Sequence, residues 1–220
     1  MATSLPPRLL HALGRLNAAY PWDHNAHHHR WIMRQLPRRV SSALDVGCGA
    51  GELARLLAVR SEMVHGVDSD ADIVERARES TRAGAPVRYT VGDAMGELPG
   101  GPHQVITCVA VLHHLPFGEA LTAFRQQLAP GGTLVVVGLA RAASPVDHLL
   151  GLAAIPLNPV IGWLKNRGRR ATSRPVAMTA RTRPATMTFP EIRREARRLL
   201  PGVRLRRRLF WRYTMVWQRS

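Results

Sequence analysis

The stretch ALDVGCGAGEL, Ala43 to Leu53, sets three glycines within five positions, directly after an apolar run that carries one acid, Asp45. Residues 42–48 read as a buried strand and 51–60 as the helix that follows. A strand, a tight glycine turn and a helix together place a ligand at the helix N-terminus, beyond the carboxyl end of the strand. The spacing here is Gly47-Cys48-Gly49-Ala50-Gly51, GxGxG. A dinucleotide pyrophosphate is served instead by GxGxxG, whose third glycine lets the helix pack close. Asp45 would repel a pyrophosphate but attract a positively charged amino group. Asp68 ends a second apolar run 21 residues past Gly47, where a carboxylate accepts hydrogen bonds from ribose hydroxyls. Asp93 follows a third such run and is placed to accept from the exocyclic amine of adenine.

Working outward, apolar runs alternate with helical patterns. Strands are expected at 62–70, 86–94, 104–115 and 133–140, with helices at 71–80 and 117–128 and a turn at Ala129-Pro-Gly-Gly132. The 104–115 run is nearly all apolar, as suits a strand covered on both faces. This alternation implies right-handed crossovers and a doubly wound, mostly parallel α/β sheet. Two closing strands are expected after a helix at 189–202, giving seven. The chain divides into a helical N-terminal cap (1–40), a ligand-binding core (41–140), a long irregular insertion (141–188) and the closing helix and strands (189–220), all in one domain. A segment as long as that insertion inside a compact domain is usually functional or mobile.

The constellation resembles the class I S-adenosylmethionine-dependent methyltransferases, in particular the small "type 11" group. LDVGCGAG matches the glycine loop, GVDSDADIVERAR the ribose-binding strand end, VGDAM the adenine acid, VITCVAVLHHL the fourth strand and LAPGGTLVVV the entry to the fifth. Five matches in order, from Ser42 to about Leu139, are specific where any one is weak. The resemblance implies a Rossmann-like seven-stranded sheet with an antiparallel last strand, and S-adenosylmethionine as cofactor with S-adenosylhomocysteine as product. It implies that Gly47, Cys48, Gly49 and Gly51 lie against the methionine portion, with Asp45 near its ammonium. It also implies that Asp68 binds the ribose diol and that Ser69 and Asp70 flank the adenine. Asp93 and the Ala94 amide would read the adenine edge, and Val109, Ala110 and Val111 would line the methyl end. The plain alternatives are that Asp68 and Asp93 cap the segments after them and that the glycines only make turns. One departure is His103-Gln104, where the family has an aromatic residue and an acid with a structural role.

A sulfonium is already electrophilic, so the chain must chiefly align a nucleophile and, for hydroxyls or carbon acids, remove a proton. His113 and His114 follow the fourth strand and are candidate bases, with packing roles as the alternative. In WDHNAHHHRW (22–31), His24 and His28 would share a helical face, but no acid or cysteine completes a metal site, so no metal is expected. Trp22, His24 and His28 read as a lid lining over the substrate, or else as a solvated helix with one apolar face.

The run after the fourth strand lacks the Asn/Asp-Pro-Pro-aromatic motif that holds base amines, and no Pro-Cys nucleophile serves pyrimidine C5 chemistry. A small or lipophilic metabolite is the first reading of the acceptor. The second is RNA or a peptide, recruited by the basic C-terminal third. A cofactor-binding scaffold without turnover is a third reading.

Charge is unevenly placed. Of the net +16, residues 1–162 hold 14 Arg against 13 acids, while residues 163–220 hold one Lys and 16 Arg against Glu191 and Glu195. Such a region is drawn to nucleic acid or an anionic membrane surface, and the apolar 149–164 stretch before it fits the latter; the plain alternative is an Arg-rich proteome that uses Arg wherever a solvated residue will do. Asp147, His148, Asn158 and two prolines argue against a membrane span there. Two cysteines outside any CxxC spacing fit a reducing cytoplasm, and residues 1–16 do not read as a signal peptide.

Overall fold

The computed structural model describes residues 7–96, 98–170 and 183–220. Strands β1 (Val40–Val46), β2 (Ser61–Asp68), β3 (Val87–Val91), β4 (His103–Val109), β5 (Leu128–Leu139), β6 (Arg204–Arg208) and β7 (Arg212–Gln218) form one sheet, ordered β3-β2-β1-β4-β5-β7-β6. The first five run parallel, and β7 pairs antiparallel with both β5 and β6. This is the doubly wound α/β sheet the sequence implies. Strand order reverses between β1 and β4, so a crevice opens there at the carboxyl ends of the strands.

Helices α2 (His29–Gln35), α3 (Glu52–Ala58) and α4 (Ala71–Glu79) cover one face through Ile32, Leu53, Leu57 and Val74. The other face is covered by α5 (Phe117–Gln127) and α7 (Phe189–Leu199) through Leu121, Phe124, Ile192 and Ala196. In β1, Ala43 joins the first core while Leu44 and Val46 join the second, all fully buried. A strand buried on both sides has no polar alternation, and that is why it reads as a continuous apolar run. The departure at 103–104 is structural as well. His103 is buried, with Nδ1 2.7 Å from the Ser42 hydroxyl and Nε2 2.8 Å from the Pro99 carbonyl. Gln104 Oε1 accepts the Ser41 amide at 2.7 Å.

Three expectations are corrected. The fourth strand stops at Val109 instead of running to 115: Ala110 takes a φ of 56°, its amide donates to the Val137 carbonyl at 2.7 Å, and Leu112–His114 form a 3-10 turn. The Ala129–Gly132 segment belongs to β5, with a register shift against β4 between His103 and Val105. Gly131, at φ 73°, donates its amide to the Arg219 carbonyl at 2.7 Å, so the glycine pair bends a strand instead of ending one.

The segment read as irregular holds a 21-residue helix, α6 (Pro145–Lys165), with Pro156 and Pro159 inside it. A capping box between Ser144 and Asp147 and Pro145 in its first turn start the helix. The lost proline hydrogen bonds are outweighed because α6 has a packing partner in the N-terminal cap. Trp22 of the cap and Phe210 of the β6–β7 turn bury against Ala154. Residues 171–182 of the insertion, including Pro175, and residues 1–6 of the cap lie outside the described residues. The rest of the cap comprises α1 (Pro7–Ala19), a 3-10 turn at Ala26–His28, and α2.

Candidate functional site

The carboxyl ends of β1 to β4 and the cap above them enclose one cleft of about 880 Å3. Its floor is the glycine loop. Gly47, Gly49 and Gly51 all have positive φ (71°, 51° and 76°), a region costly to residues bearing a Cβ. At Gly47 a Cβ would also collide with the Val111 side chain. Asp68 pins the loop to β2: one carboxylate oxygen accepts the Gly49 amide at 2.9 Å and the other the Asp70 amide at 3.1 Å. Asp70 caps α4 by accepting the Asp72 and Ile73 amides, and Asp93 accepts the Met95 amide at 2.8 Å. The capping alternative is therefore realised for Asp68 and Asp93, and Asp70 caps as well, yet all three still line the cleft.

Asp45 is the electrostatic centre of the floor. It is 2% exposed, one oxygen accepts the Thr107 hydroxyl at 2.7 Å, and the other has no partner. Burial pushes its carboxyl up to about 7, against the Thr107 hydrogen bond and with help from the Asp68 charge. Around it stand Asp23, Glu52, Asp68, Asp70, Asp72 and Asp93. Seven of the chain's 15 acids thus face one cleft in a protein of net charge +16. A cavity focused to this sign draws a cation. Burial pushes the Glu52 carboxyl up as well, with the Asp23 charge adding to it.

Gly47, Cys48, Gly49, Ser69, Ala94, Val109, Ala110 and Val111 also line the cleft, while Gly51 sits just behind as the N-cap of α3. The left-handed turn at Ala110 swings the chain across the mouth and puts His114 and Leu115 on the wall. His113 packs against His114 at a tilt of 41° with ring centroids 4.0 Å apart, but its Nδ1 is buried without a partner. Burial, with His114 and Arg212 nearby, pushes the His113 imidazole down to about 4; burial and Arg183 lower that of His114.

In the cap, Asp23, Asn25 and His29 reach the cleft, and Arg183 closes the side. Trp22, His24 and His28 are placed elsewhere. Trp22 donates to the Asn158 side chain at 2.8 Å, and His24 Nε2 lies 3.0 Å from the same oxygen. His28 is buried, and burial with neighbouring His27 and Arg212 pushes it down to about 4. The physical reason is phase. A continuous helix would pair His24 with His28, but Asp23 accepts the Asn25 and Ala26 amides in a turn, and α2 starts only at His29. The Pro-Trp-Asp-His-Asn sequence carries the signal for that turn, since an Asp side chain offers the backbone an alternative to helix. Nothing in the sequence marked Arg183. Among the described residues no group of three His, Cys, Asp or Glu is placed to hold a metal ion.

A family model described as a methyltransferase domain matches residues 43–132. An uncharacterized methyltransferase of Mycobacterium tuberculosis (strain H37Rv) is 33% identical over 202 residues, which covers 90% of this chain and 97% of that protein. The chain belongs to the class I S-adenosylmethionine-dependent methyltransferases. This methyltransferase is also 31% identical over 136 residues to a ubiquinone biosynthesis O-methyltransferase of Xylella fastidiosa, across 60% of the chain and 50% of that enzyme. Its fold matches that of magnesium protoporphyrin IX methyltransferase from Synechocystis PCC 6803, a structure with bound S-adenosylhomocysteine, at a TM-score of 0.56. The match is 15% identical and spans 100% of this chain and 90% of that one.

Proposed function

We propose that this methyltransferase uses S-adenosylmethionine to methylate a small, lipophilic molecule, working as a single domain in the cytoplasm. The carrying observation is the buried Asp45 oxygen with no partner, at the centre of an acid-lined cleft. An unpaired buried carboxylate is costly, and a ligand ammonium set against it would remove the cost and return the group to its charged form. Asp68 and Asp93, at the ends of β2 and after β3, keep acceptor capacity beyond their amide bonds for a ribose diol and an adenine amine. Ser69, Asp70 and the Ala94 amide flank the same end. Val109, Ala110 and Val111 supply the apolar wall toward which the acceptor is held. When bound, the cofactor supplies a sulfonium methyl that is electrophilic without further activation.

His114 takes a proton from the acceptor in this reading, which its position on the cleft wall and its lowered pKa support. His113, behind it, orients that ring. A small acceptor is supported by the cap residues Asp23, Asn25 and His29, which reach into the cleft, and by the relatives named as O-methyltransferases of ubiquinone biosynthesis. The cytoplasmic reading is supported by two free, buried thiols, Cys48 and Cys108.

Calorimetric titration with S-adenosylmethionine, S-adenosylhomocysteine and NAD tests the cofactor. Micromolar binding of the first two and none of NAD is expected, and it makes a methyl-transfer screen against quinols and other small acceptors the next step. Binding of NAD alone overturns the reading. Cofactor binding with no turnover on any acceptor class brings the scaffold reading forward.

A further inference from the structure

The two faces of α6 are reversed from those of an ordinary surface helix. Its inward stripe, spaced every four residues, is small or polar (Ala154, Asn158, Gly162, and then Asn166 just past the end), with Pro159 buried and Ile161 half-buried beside it. Asn158 accepts from Trp22, a Cβ at Gly162 would run into the Tyr20 carbonyl, and the Asn166 side chain donates to the Pro21 carbonyl at 3.0 Å. The outward face is apolar along its whole length. Every exposed position of α6 is apolar except His148 and the terminal Lys165. Leu149 is 67% exposed, Trp163 50% and Leu164 59%. A surface helix normally turns its apolar stripe inward, and a monomer rarely leaves a contiguous patch of this kind uncovered. The patch continues sideways onto the β6–β7 turn, where Trp211 is half exposed with its indole nitrogen against Gly151.

We propose that this face is a docking surface for an anionic lipid bilayer. Charge decides the occupant. The helix runs directly into Lys165, Arg167, Arg169 and Arg170, all exposed, and no acid occurs between Asp147 and Glu191. Edge strand β6 adds exposed Arg204 and Arg206. Leucine, valine and tryptophan on one side with a cationic border is the pattern of a helix lying in the headgroup region. None of the described helices is long and apolar enough to cross a membrane, so α6 lies on the surface. Its anchor is firm: Asp147 pairs with Arg207 at 2.8 Å and closes the capping box. One residue beyond Trp22, which the inward face of α6 holds, the chain enters the cleft at Asp23.

The test is flotation of the full-length protein with vesicles of phosphatidylcholine alone or of phosphatidylcholine mixed with phosphatidylglycerol. Binding is expected only to the mixed vesicles, with Trp163 fluorescence quenched by brominated acyl chains and the quenching reduced in Trp163→Phe. Changing Lys165, Arg167, Arg169 and Arg170 to Gln should weaken binding about fivefold per cation removed, because each such residue contributes about 1 kcal/mol near an anionic surface. A Leu149→Gln, Val160→Gln, Leu164→Gln variant should lose vesicle binding while retaining S-adenosylhomocysteine affinity, which reports an intact fold. Three outcomes overturn the proposal. One is no binding to either vesicle by the wild type. The second is a dimer in sedimentation equilibrium that the apolar variant dissolves, which gives the face to a second copy. The third is salt-steep RNA binding that displaces the protein from vesicles yet is unchanged in the apolar variant, which gives the cations to nucleic acid.

Discussion

The floor of the cleft and the cap above it are built by opposite means. The floor is made of backbone conformations and carboxylates: three positive-φ glycines, Asp68 holding the Gly49 amide, and Asp45 with one oxygen unpartnered. The cap is made of complementary side chains: Trp22 against Asn158 and Phe210, and Gly162 under Tyr20. The two regions also handle buried charge differently. Asp147 in α6, the helix against which the cap packs, despite the penalty of partial burial, is held down to about 2 by Ser144, the Ala143 and Ser144 amides and Arg207. Asp45 in the floor is left at about 7. One aspartate is satisfied by its neighbours, while the other is buried with one oxygen unpartnered.

That contrast can be broken by mutation, beginning with the largest effect. Trp22→Ala should cost about 3–5 kcal/mol in denaturant unfolding, the range for emptying a buried aromatic site. Cofactor affinity should move far less. A large loss of affinity with unchanged stability would make the cap part of the cofactor site and erase the distinction.

Asp45→Asn should do the reverse. Cofactor affinity should fall by about 2–5 kcal/mol, the cost of removing one partner of a buried charge pair, while stability at neutral pH should hold or rise. The pH dependence sharpens this. A carboxyl whose folded pKa is raised stabilises the free protein at low pH and loses that contribution as pH climbs from its ordinary 3.8 toward about 7. His28 and His113, both lowered to about 4, give the opposite slope. The difference between wild type and Asp45→Asn therefore isolates the carboxyl in urea melts across pH 4 to 8. Because an ammonium needs the charged form, calorimetric affinity of the wild type should weaken below about pH 7, and the variant should be flat.

Asp68→Ala should lower affinity by about 1.5–3 kcal/mol, the worth of hydrogen bonds to a charged group. Part of the loss should appear as stability, since the Gly49 amide loses its acceptor. Unchanged affinity there would remove Asp68 from the binding site. Smallest, Ser144→Ala should cost about 0.5–2 kcal/mol through the lost cap of α6. Affinity unchanged in that variant keeps the two regions separate.

The floor was legible because its rules are local. A glycine that must take positive φ, an acid at a strand end and a doubly buried strand each leave a mark within a few residues. The sequence by itself therefore determined the parallel sheet, the strand–turn–helix that makes the floor, and the acids at the ends of the first three strands. It also carried the charge imbalance and the apolar run now seen as α6. Tertiary structure alone decided the rest. Whether 145–165 is helical depended on a partner 136 residues away in sequence, Trp22 to Asn158, which offsets two interior prolines. His29 instead of His28 faces the cleft because a turn at Asp23 resets the helical phase. Asp45 became a buried carboxyl with one unpartnered oxygen only once β4 packed alongside, where the Thr107 hydroxyl satisfies the other oxygen. Local rules fix conformation, but burial, phase and orphaned hydrogen bonds are properties of neighbours the chain meets only when folded.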